Sequence, residues 1–180
     1  LRRIEREGER MNGLVGELLT LSRLEAGVAS RLEDVDMGEL LADIVEDARF
    51  EGAARQVEIA YMPGGMAGIR ANPELLHRAI ENVVRNALRF SPVGRAIRIE
   101  AGRVEGGRFR ISIGDDGPGV PESQLENIFK PFFRCDGQRA TSGYGLGLAI
   151  ARRVIAAVDG KIEAKNKVGG GLLVEIDLPA

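Results

Sequence analysis

Apolar residues recur at helical spacing from the first residue of the chain to about residue 26. The stripe consists of Ile4, Met11 and Leu18 at intervals of seven, continued by Leu14, Val15 and Leu21. Such a heptad pattern is typical of a helix that pairs with another helix or chain, and the alternative is a helix packed on its own domain. Because the pattern is already under way at the first residue, we expect the chain to be part of a longer protein.

Caps and apolar faces predict three further helices. Asp36, followed by Glu39, has the pattern of a capping box. Asn72, followed by Pro73, is a helix start with a side-chain cap and proline in the first turn. The three helices are predicted to begin at Asp36, to run from Asn72 to about Phe90, and to occupy about residues 145–159.

Alternation of apolar and polar residues predicts the strands. They are expected over residues 56–62, around Ile97 and Ile99, over 109–113, over 161–164 and over 172–178. Pro63-Gly64-Gly65 is predicted to be a turn, and residues 115–145 a long functional loop with one short helix. Short connections favour antiparallel neighbours, so we predict an α/β (α+β) two-layer sandwich whose mixed, largely antiparallel sheet is covered by about three helices.

Composition narrows the functions open to this chain. It has 25 Lys and Arg against 27 Asp and Glu, a net charge of −2, which excludes a strongly basic nucleic-acid binder. The single Cys excludes a disulfide framework within the chain and a cysteine-ligated zinc site. No apolar run reaches the ~20 residues of a membrane-spanning helix, so no direct membrane contact is expected for this segment.

The helix that ends near Phe90 carries a polar stripe beside its core face. On a helical wheel Asn82, Asn86 and Arg89 fall together. Two carboxamides one turn apart offer two oxygens to one point, which suits Mg²⁺, and the alternative is two ordinary surface residues. His77, the only histidine, falls on another face in a charged ladder with Glu81 and Arg85, and we interpret it as structural.

Two glycine-rich segments flank the long loop, with aromatic residues and cations between them. Asp115-Asp116-Gly117-Pro118-Gly119 follows a strand, so a carboxylate there can accept a hydrogen bond from the amino group of a base. Gly143-Tyr144-Gly145-Leu146-Gly147 precedes a helix, and glycine-rich backbone at a helix N-terminus suits phosphate. It is not a Walker A loop, because no Gly-Lys-Ser/Thr follows. Lys130 and Arg134 lie between the two segments and can neutralise phosphate charge.

The order and spacing of these motifs resemble the N, G1, F and G2 boxes of sensor histidine kinases. These kinases belong to the ATPase superfamily shared with gyrase, Hsp90 and MutL. By this resemblance, residues 1–29 are similar to the second helix of a dimerisation and histidine phosphotransfer domain, a dimeric four-helix bundle, and residues 30–180 to the catalytic ATP-binding domain. Residues 1–7 and 86–91 look most similar to envelope-stress sensors of the Cpx type.

The resemblance implies a role for each motif. Asn86 would be the principal Mg²⁺ ligand with Asn82 beside it, and Arg89 would reach phosphate. Phe90 would flank the adenine, and Asp115 would accept a hydrogen bond from its amino group. With Mg²⁺, cations and backbone amides, such a site suffices for phosphoryl transfer, which depends mainly on positioning and charge neutralisation.

Further roles fall on the loop. Gly117 and Gly119 would allow close approach of the backbone, while Arg134 would approach the γ-phosphate with Lys130 as a second cation. Residues 120–144 would form a lid that is mobile without nucleotide. Nucleotide contacts in the last segment would come from Gly143, Gly145, Leu146, Gly147 and Leu148. The catalytic set would be Asn82, Asn86 and Arg134.

As a whole, the resemblance implies a domain that binds ATP or ADP with Mg²⁺. It would transfer the γ-phosphoryl group to a His on a helix expected to precede Leu1, for relay to a response regulator Asp. His77 matches no acceptor motif, so self-phosphorylation of this chain is not expected. The parent protein would be a homodimer through the N-terminal helix, anchored in the bacterial inner membrane with this domain in the cytoplasm.

Three rival functions stay open from the residues. A slow ATPase of the gyrase or Hsp90 kind would need a Glu four residues before the Mg²⁺-binding Asn, where this chain has Asn82, a poor base. A serine kinase of the anti-sigma type normally lacks the heptad helix. A dimerising interaction module without kinase activity would not need the intact set of motifs. Tyr144 and Leu172 depart from the residues common in the family at the lid and after the last Gly box.

Overall fold

The computed structural model describes residues 2–25, 31–65, 67–135 and 143–180. The helices are α1 (Arg2–Glu25), α2 (Met37–Arg55), α3 (Pro73–Phe90) and α4 (Gly147–Ala156). The strands are β1 (Glu33–Asp36), β2 (Glu58–Gly64), β3 (Gly68–Ala71), β4 (Ala96–Val104), β5 (Arg108–Gly114), β6 (Lys161–Asn166) and β7 (Leu172–Pro179). Two short 3₁₀ helices, Glu122–Gln124 and Asn127–Phe129, lie in the long segment after β5.

The main sheet has five strands in the order β2-β4-β5-β7-β6. Only the β2–β4 pair is parallel, and the other three pairs are antiparallel. Helices α2, α3 and α4 contact this sheet, which makes a two-layer α/β sandwich. The predicted mixed, largely antiparallel sheet with three covering helices is confirmed.

The predicted caps and apolar faces explain why the helices form where they do. Asp36 Oδ1 accepts hydrogen bonds from the backbone N–H groups of Gly38 and Glu39, at 2.7 and 3.2 Å. Asn72 Oδ1 accepts one from Leu75 N at 2.9 Å. Each cap satisfies amides that the first helical turn leaves free. The predicted core face of α3 is buried, and it consists of Leu76, Ile80, Val83 and Ala87.

Some boundaries differ from the prediction. Pro63 and Gly64 belong to β2 and not to a turn, because β2 runs beside β4 as far as the pair Gly64–Gly102. A Cβ on Gly102 would collide with Gly64 O, so the backbones at this end of the pair require glycine. Strand β3 was not predicted, since it is short and pairs only with β1. The long segment holds two 3₁₀ helices where one short helix was expected, and residues 136–142 of the predicted lid lie outside the described residues.

Helix α1 packs on its own domain along one edge of the predicted stripe. Leu21 is buried, and Leu14 is partly buried against the same core. Arg78 Nη1 on α3 donates a hydrogen bond to Thr20 Oγ1 at 2.8 Å. The rest of the stripe stays exposed, namely Met11, Val15 and Leu18, and the side chain of Ile4 lies outside the description. Within the described ranges, no helix combines the length and apolar character needed to cross a membrane.

Candidate functional site

A cavity of about 280 Å³ lies between α3, the start of α4 and the segment after β5. Eleven of the fourteen sequence-predicted site residues line it: Asn82, Asn86, Arg89, Phe90, Asp115, Gly119, Arg134, Gly143, Gly145, Gly147 and Leu148. The fold thus brings four separate motifs, spread from α3 to α4, to one concave site. Gly117, Lys130 and Leu146 are not among the lining residues.

Asp115 follows the last residue of β5 and is only 3% exposed. Its Oδ1 accepts hydrogen bonds from Gly117 N at 2.7 Å and from Leu172 N at 3.2 Å. Burial raises the pKa of Asp115, and these two hydrogen bonds oppose that shift. Both bonds go to Oδ1, and the residue lines the cavity. A buried carboxylate in a cavity wall suits a donor such as the amino group of a base.

The turn between β6 and β7 contacts the backbone of Asp115 and the side chain of Asp116. Lys167 Nζ donates to the backbone oxygen of Asp115 at 2.8 Å and to Asp116 Oδ1 at 2.7 Å. The latter bond lowers the pKa of Asp116. Gly171 has a φ of 93°, and a Cβ there would collide with Asp115 O. Sequence reasoning assigned the glycines here to a last Gly box but missed Lys167, because only the sheet brings it beside Asp115.

Asn166 at the end of β6 holds the glycine loop that forms another wall of the cavity. Its Oδ1 accepts from Val120 N at 2.9 Å, and its Nδ2 donates to Val120 O at 2.6 Å. A Cβ on Gly119 would lie 2.7 Å from Asn166 Oδ1, so this close approach requires glycine. Asn166 was also missed, and no local signal marks it, since its partners lie 46 residues away.

Gly117 serves the site without lining it. A Cβ there would lie 2.7 Å from Phe90 O and 2.8 Å from Asp115 Oδ1. The missing side chain therefore lets the loop pack between the end of α3 and the buried carboxylate. Phe90 lines the cavity beside Asp115, and the Arg89 guanidinium lies 5.4 Å from the centre of its ring.

The N-terminus of α4 opens on the cavity without a capping side chain. Its N-cap is Leu146, which makes no side-chain hydrogen bond to the helix. The Leu146 side chain is fully buried in the core, so only its backbone is left for a ligand. Gly147 packs against Asn82, since a Cβ there would lie 3.4 Å from Asn82 Oδ1. Free amides in the first turn of a helix are a favourable place for phosphate.

Four arginines line the cavity. They are Arg55, Arg85, Arg89 and Arg134. Burial lowers the pKa of Arg89, and the neighbouring charges of Arg134 and Arg55 lower it further. Within the described part of the chain, Arg89 Nε and Asn82 Nδ2 are buried without a hydrogen-bond partner. Crowded cations and unpaired donors favour an anionic ligand with several acceptor oxygens.

The structure does not bring Lys130 into this site. The preceding 3₁₀ helix buries Ile128 and Phe129, and Lys130 follows with an exposed side chain. Lys130 is therefore not among the described residues that line the cavity, and its contact with a nucleotide stays a prediction. Arg134, four residues later, is the cation of this segment that lines it.

Asn82 and Asn86 carry oxygens of the kind that Mg²⁺ prefers. Both residues line the cavity one helical turn apart on α3. Mg²⁺ is a hard ion that takes oxygen ligands and keeps several waters, so the residues present fit it.

Residues 71–180 match the protein family described as histidine kinase-, DNA gyrase B- and HSP90-like ATPase. The chain belongs to this ATPase family. The matched residues begin just before α3 and include every motif that lines the cavity. The two-layer fold of this domain is that of histidine kinase catalytic domains.

Curated relatives of this ATPase-family chain are sensor proteins. It is 36% identical to the sensor histidine kinase CpxA of Escherichia coli K12, a match that covers 99% of this chain and 39% of that protein. It is 35% identical to the sensor protein SphS of Synechococcus elongatus, over 96% of this chain and 44% of that one. The chain thus spans about two fifths of the length of these relatives. Identity does not single out the Cpx type, because the sensor protein KdpD of Mycobacterium tuberculosis shares 37%.

Solved structures show the same likeness. Full-length ShkA in complex with AMPPNP has a TM-score of 0.87 at 29% identity, over 99% of this chain and 37% of that one. The mycobacterial sensor histidine kinase MprB has a TM-score of 0.74 at 28% identity, over 82% of this chain and 97% of that one. The chain contains a catalytic ATP-binding domain of the sensor histidine kinase type.

Proposed function

We propose that the protein containing this chain is an ATP-dependent protein-histidine kinase of a two-component system, and that the cavity holds the nucleotide during transfer of its γ-phosphoryl group. The arrangement of Asp115 carries the proposal. Its Oδ1 is held by two backbone amides, and the residue lines the same cavity as four arginines. A ligand that carries both an amino-bearing base and phosphates fits this combination of a carboxylate and cations.

The residues that line the cavity have distinct roles in this proposal. Asp115 Oδ2 accepts a hydrogen bond from the adenine amino group, with Phe90 against the base. Arg89 supplies its unpaired Nε–H to a phosphate oxygen, and the free amides at the start of α4 supply further donors. Arg134 approaches the γ-phosphoryl group. Donors already in place for developing charge lower the barrier for phosphoryl transfer.

Asn86, with Asn82 beside it, would hold Mg²⁺ through amide oxygens. When bound, the ion neutralises phosphate charge and orients the chain of phosphates. Gly147 packs directly against Asn82. The amide of Asn82 therefore fixes the distance between the proposed metal ligands and the phosphate-binding turn of α4.

The acceptor histidine would lie outside this sequence. His77 is half-buried on α3 and is not among the cavity-lining residues, so it is poorly placed to receive a phosphoryl group. We further propose that residues 1–29 form the second helix of a dimerisation domain, residues 30–180 the catalytic domain, and that a response regulator receives the phosphoryl group. The longer protein would be anchored in the inner membrane with this domain in the cytoplasm.

Calorimetry with ATP and ADP, each with and without Mg²⁺, tests nucleotide binding by this chain. Both should bind, and Mg²⁺ should tighten ATP because it screens the phosphates. Asp115→Ala should abolish measurable binding, because it removes the proposed acceptor for the base. Asp116→Ala is the matched control, since this neighbour pairs with Lys167 and does not line the cavity. Equal binding by both variants would contradict the assigned base site.

Radiolabelled ATP tests the transfer step. The present chain with Mg²⁺ should remain unlabelled at His77, whereas the longer protein that contains the upstream helix should become labelled. A label that survives alkali and is lost in acid identifies phosphohistidine. Stoichiometric labelling of His77 in the present chain would overturn the proposal for the acceptor.

A further inference from the structure

Helix α1 brings one acidic side chain into the nucleotide cavity. Glu17 lies one helical turn before the buried Leu21, on the face of α1 that packs against the domain. It lines the cavity together with Arg85, Arg89 and Arg134. An element outside the matched ATPase-family residues 71–180 therefore contributes an acidic side chain to the lining of the cavity.

The surroundings of Glu17 are arginines of α3. The charges of Arg78, Arg85 and Arg89 favour its carboxylate, yet burial outweighs them and raises the pKa of Glu17. Glu51 of α2 lines the same cavity, but it already forms ion pairs of 3.7 Å with Arg55 and Arg85. Unlike Glu51, Glu17 therefore has a negative charge that the neighbouring arginines compensate only in part, and it lies on a different helix.

We propose that Glu17 is a specificity-determining residue that opposes the outermost phosphate of the nucleotide, so that the chain with α1 docked favours ADP over ATP. The inference rests on the proposed function, since it needs the phosphates to lie beside the arginines. ATP has one more phosphate than ADP and about one more negative charge. Burial and the charges of Arg134 and Arg55 lower the pKa of Arg89, and the charge of Glu17 opposes that shift, so Glu17 also acts on this guanidinium.

Linkage makes the effect reciprocal. If docked α1 weakens ATP binding, ATP must weaken the docking of α1 by the same factor, because the coupling free energy is shared between the two sites. Identifiable docking contacts are the burial of Leu21, the partial burial of Leu14 and the hydrogen bond between Arg78 and Thr20. A variant that weakens the docking of α1 but keeps the Glu17 carboxylate should therefore bind ATP more tightly, as should a variant that removes the Glu17 charge.

Calorimetry on Glu17→Gln, which keeps size and hydrogen-bonding capacity, tests the charge. ATP should bind about three- to tenfold more tightly than to the unmodified chain, the range expected of a screened, partly exposed charge, and ADP should change less than about twofold. Glu105→Gln, at an exposed position of the β4–β5 turn, is the matched control and should change neither. Unchanged or weaker ATP binding in Glu17→Gln would overturn the inference, and weakening only with Mg²⁺ would identify Glu17 as a partner of the ion instead.

The docking itself is tested by a pair of leucines on α1. Leu21→Ala removes the buried anchor and should reproduce the gain in ATP affinity, whereas Leu18→Ala removes an exposed side chain of the same type and should not. Thermal unfolding of each variant checks that the domain is folded. Failure of every variant to bind either nucleotide would refute the proposed function. Normal binding with no difference between Glu17→Gln and the unmodified chain would refute only the role of Glu17.

Discussion

Asp115 combines a structural role with a place in the cavity wall. Its Oδ1 is held by Gly117 N and Leu172 N, and the residue lines the cavity. Burial raises its pKa, so the folded state holds the proton more tightly than the unfolded state does. The contribution of Asp115 to the free energy of unfolding therefore falls as the pH rises from the unfolded pKa through the raised one. Burial of this carboxylate therefore lowers stability near neutral pH and provides a charged acceptor for a ligand.

Asp115→Asn separates these two effects. The variant retains Oδ1 for Gly117 and Leu172 but removes the buried charge, so at pH 7 its melting temperature should be equal or higher. ATP binding should weaken by about 2 kcal/mol, the value of a hydrogen bond to a charged group. Inosine triphosphate has an acceptor in place of the amino group, so the Asn side chain can donate to it and its binding should weaken less.

Calorimetry with both nucleotides and thermal unfolding measure these changes. Asp116→Asn, whose side chain pairs with Lys167, is the matched control and should not alter the preference between the two bases. Equal losses for ATP and inosine triphosphate in Asp115→Asn would contradict contact between this carboxylate and the amino group.

The connection between β6 and β7 is the element that holds the site together. Asn166, Lys167 and Gly171 lie within six positions of each other and contact both the Asp115 backbone and the glycine loop. Its hydrogen bonds join two loops that are about fifty residues apart in sequence. Changes in this turn should therefore act on the nucleotide site although most of its side chains do not line the cavity.

Two glycines of this turn make a matched pair. Gly169 and Gly171 both have a φ of 93°, but a Cβ on Gly169 meets nothing within 4 Å, whereas one on Gly171 collides with Asp115 O. Gly169→Ala should lower the free energy of unfolding by about 1 kcal/mol, the cost of left-handed backbone. Gly171→Ala should cost about 2 kcal/mol more, because backbone must move.

Urea unfolding with and without ADP measures both terms. ADP should stabilise Gly169→Ala as it does the unmodified chain, and it should stabilise Gly171→Ala less because Asp115 is displaced. Equal stability of the two variants would contradict the close packing of this turn against Asp115.

Asn166 provides a prediction about the wall of the cavity. Asn166→Ala removes both hydrogen bonds to Val120 and should weaken ATP binding by about 1 kcal/mol, as the loop must be ordered on binding. Lys165→Ala on the same strand removes only an exposed ion pair with Glu175 and should have little effect. Calorimetry compares the two, and an equal loss in both would indicate a general effect on β6.

At the scale of the whole molecule, one face of α1 is buried and another is exposed. One edge buries Leu21 against the domain, and the other leaves Met11, Val15 and Leu18 between 47% and 66% exposed. An apolar stripe at heptad spacing is unstable in water and favours association with another helix. The same helix can therefore contact the nucleotide domain and a second chain at once.

Self-association through this stripe is testable in solution. The chain should show concentration-dependent association in sedimentation velocity, and Val15→Lys should shift it to monomer because a charge cannot be buried in the seam. Phe50→Lys is the matched control, since Phe50 is an 86% exposed aromatic residue on α2, away from the stripe. Loss of association in the control alone would place the interface on α2.

The sequence by itself determined features that depend on neighbours along the chain. The caps at Asp36 and Asn72, the apolar face of α3 and the alternation of β4 and β5 follow from helical and strand periodicity. The order of motifs also predicted half of the residues that line the cavity, together with the family. Each of these signals depends on residues that are close together in the sequence, or on the order of such segments. The sequence alone is therefore enough to predict them.

Only the tertiary structure decided what brings distant segments together. Sheet pairing puts Asn166 and Lys167 behind Asp115, and nothing in their own neighbourhood indicates that contact. The packing of the segment after β5 excludes Lys130 from the cavity and includes Arg134. The docking of α1 chose which edge of its stripe is buried and so placed Glu17 beside the arginines. These contacts depend on three-dimensional packing, because hydrophobic burial specifies that a face is covered but not which partner covers it.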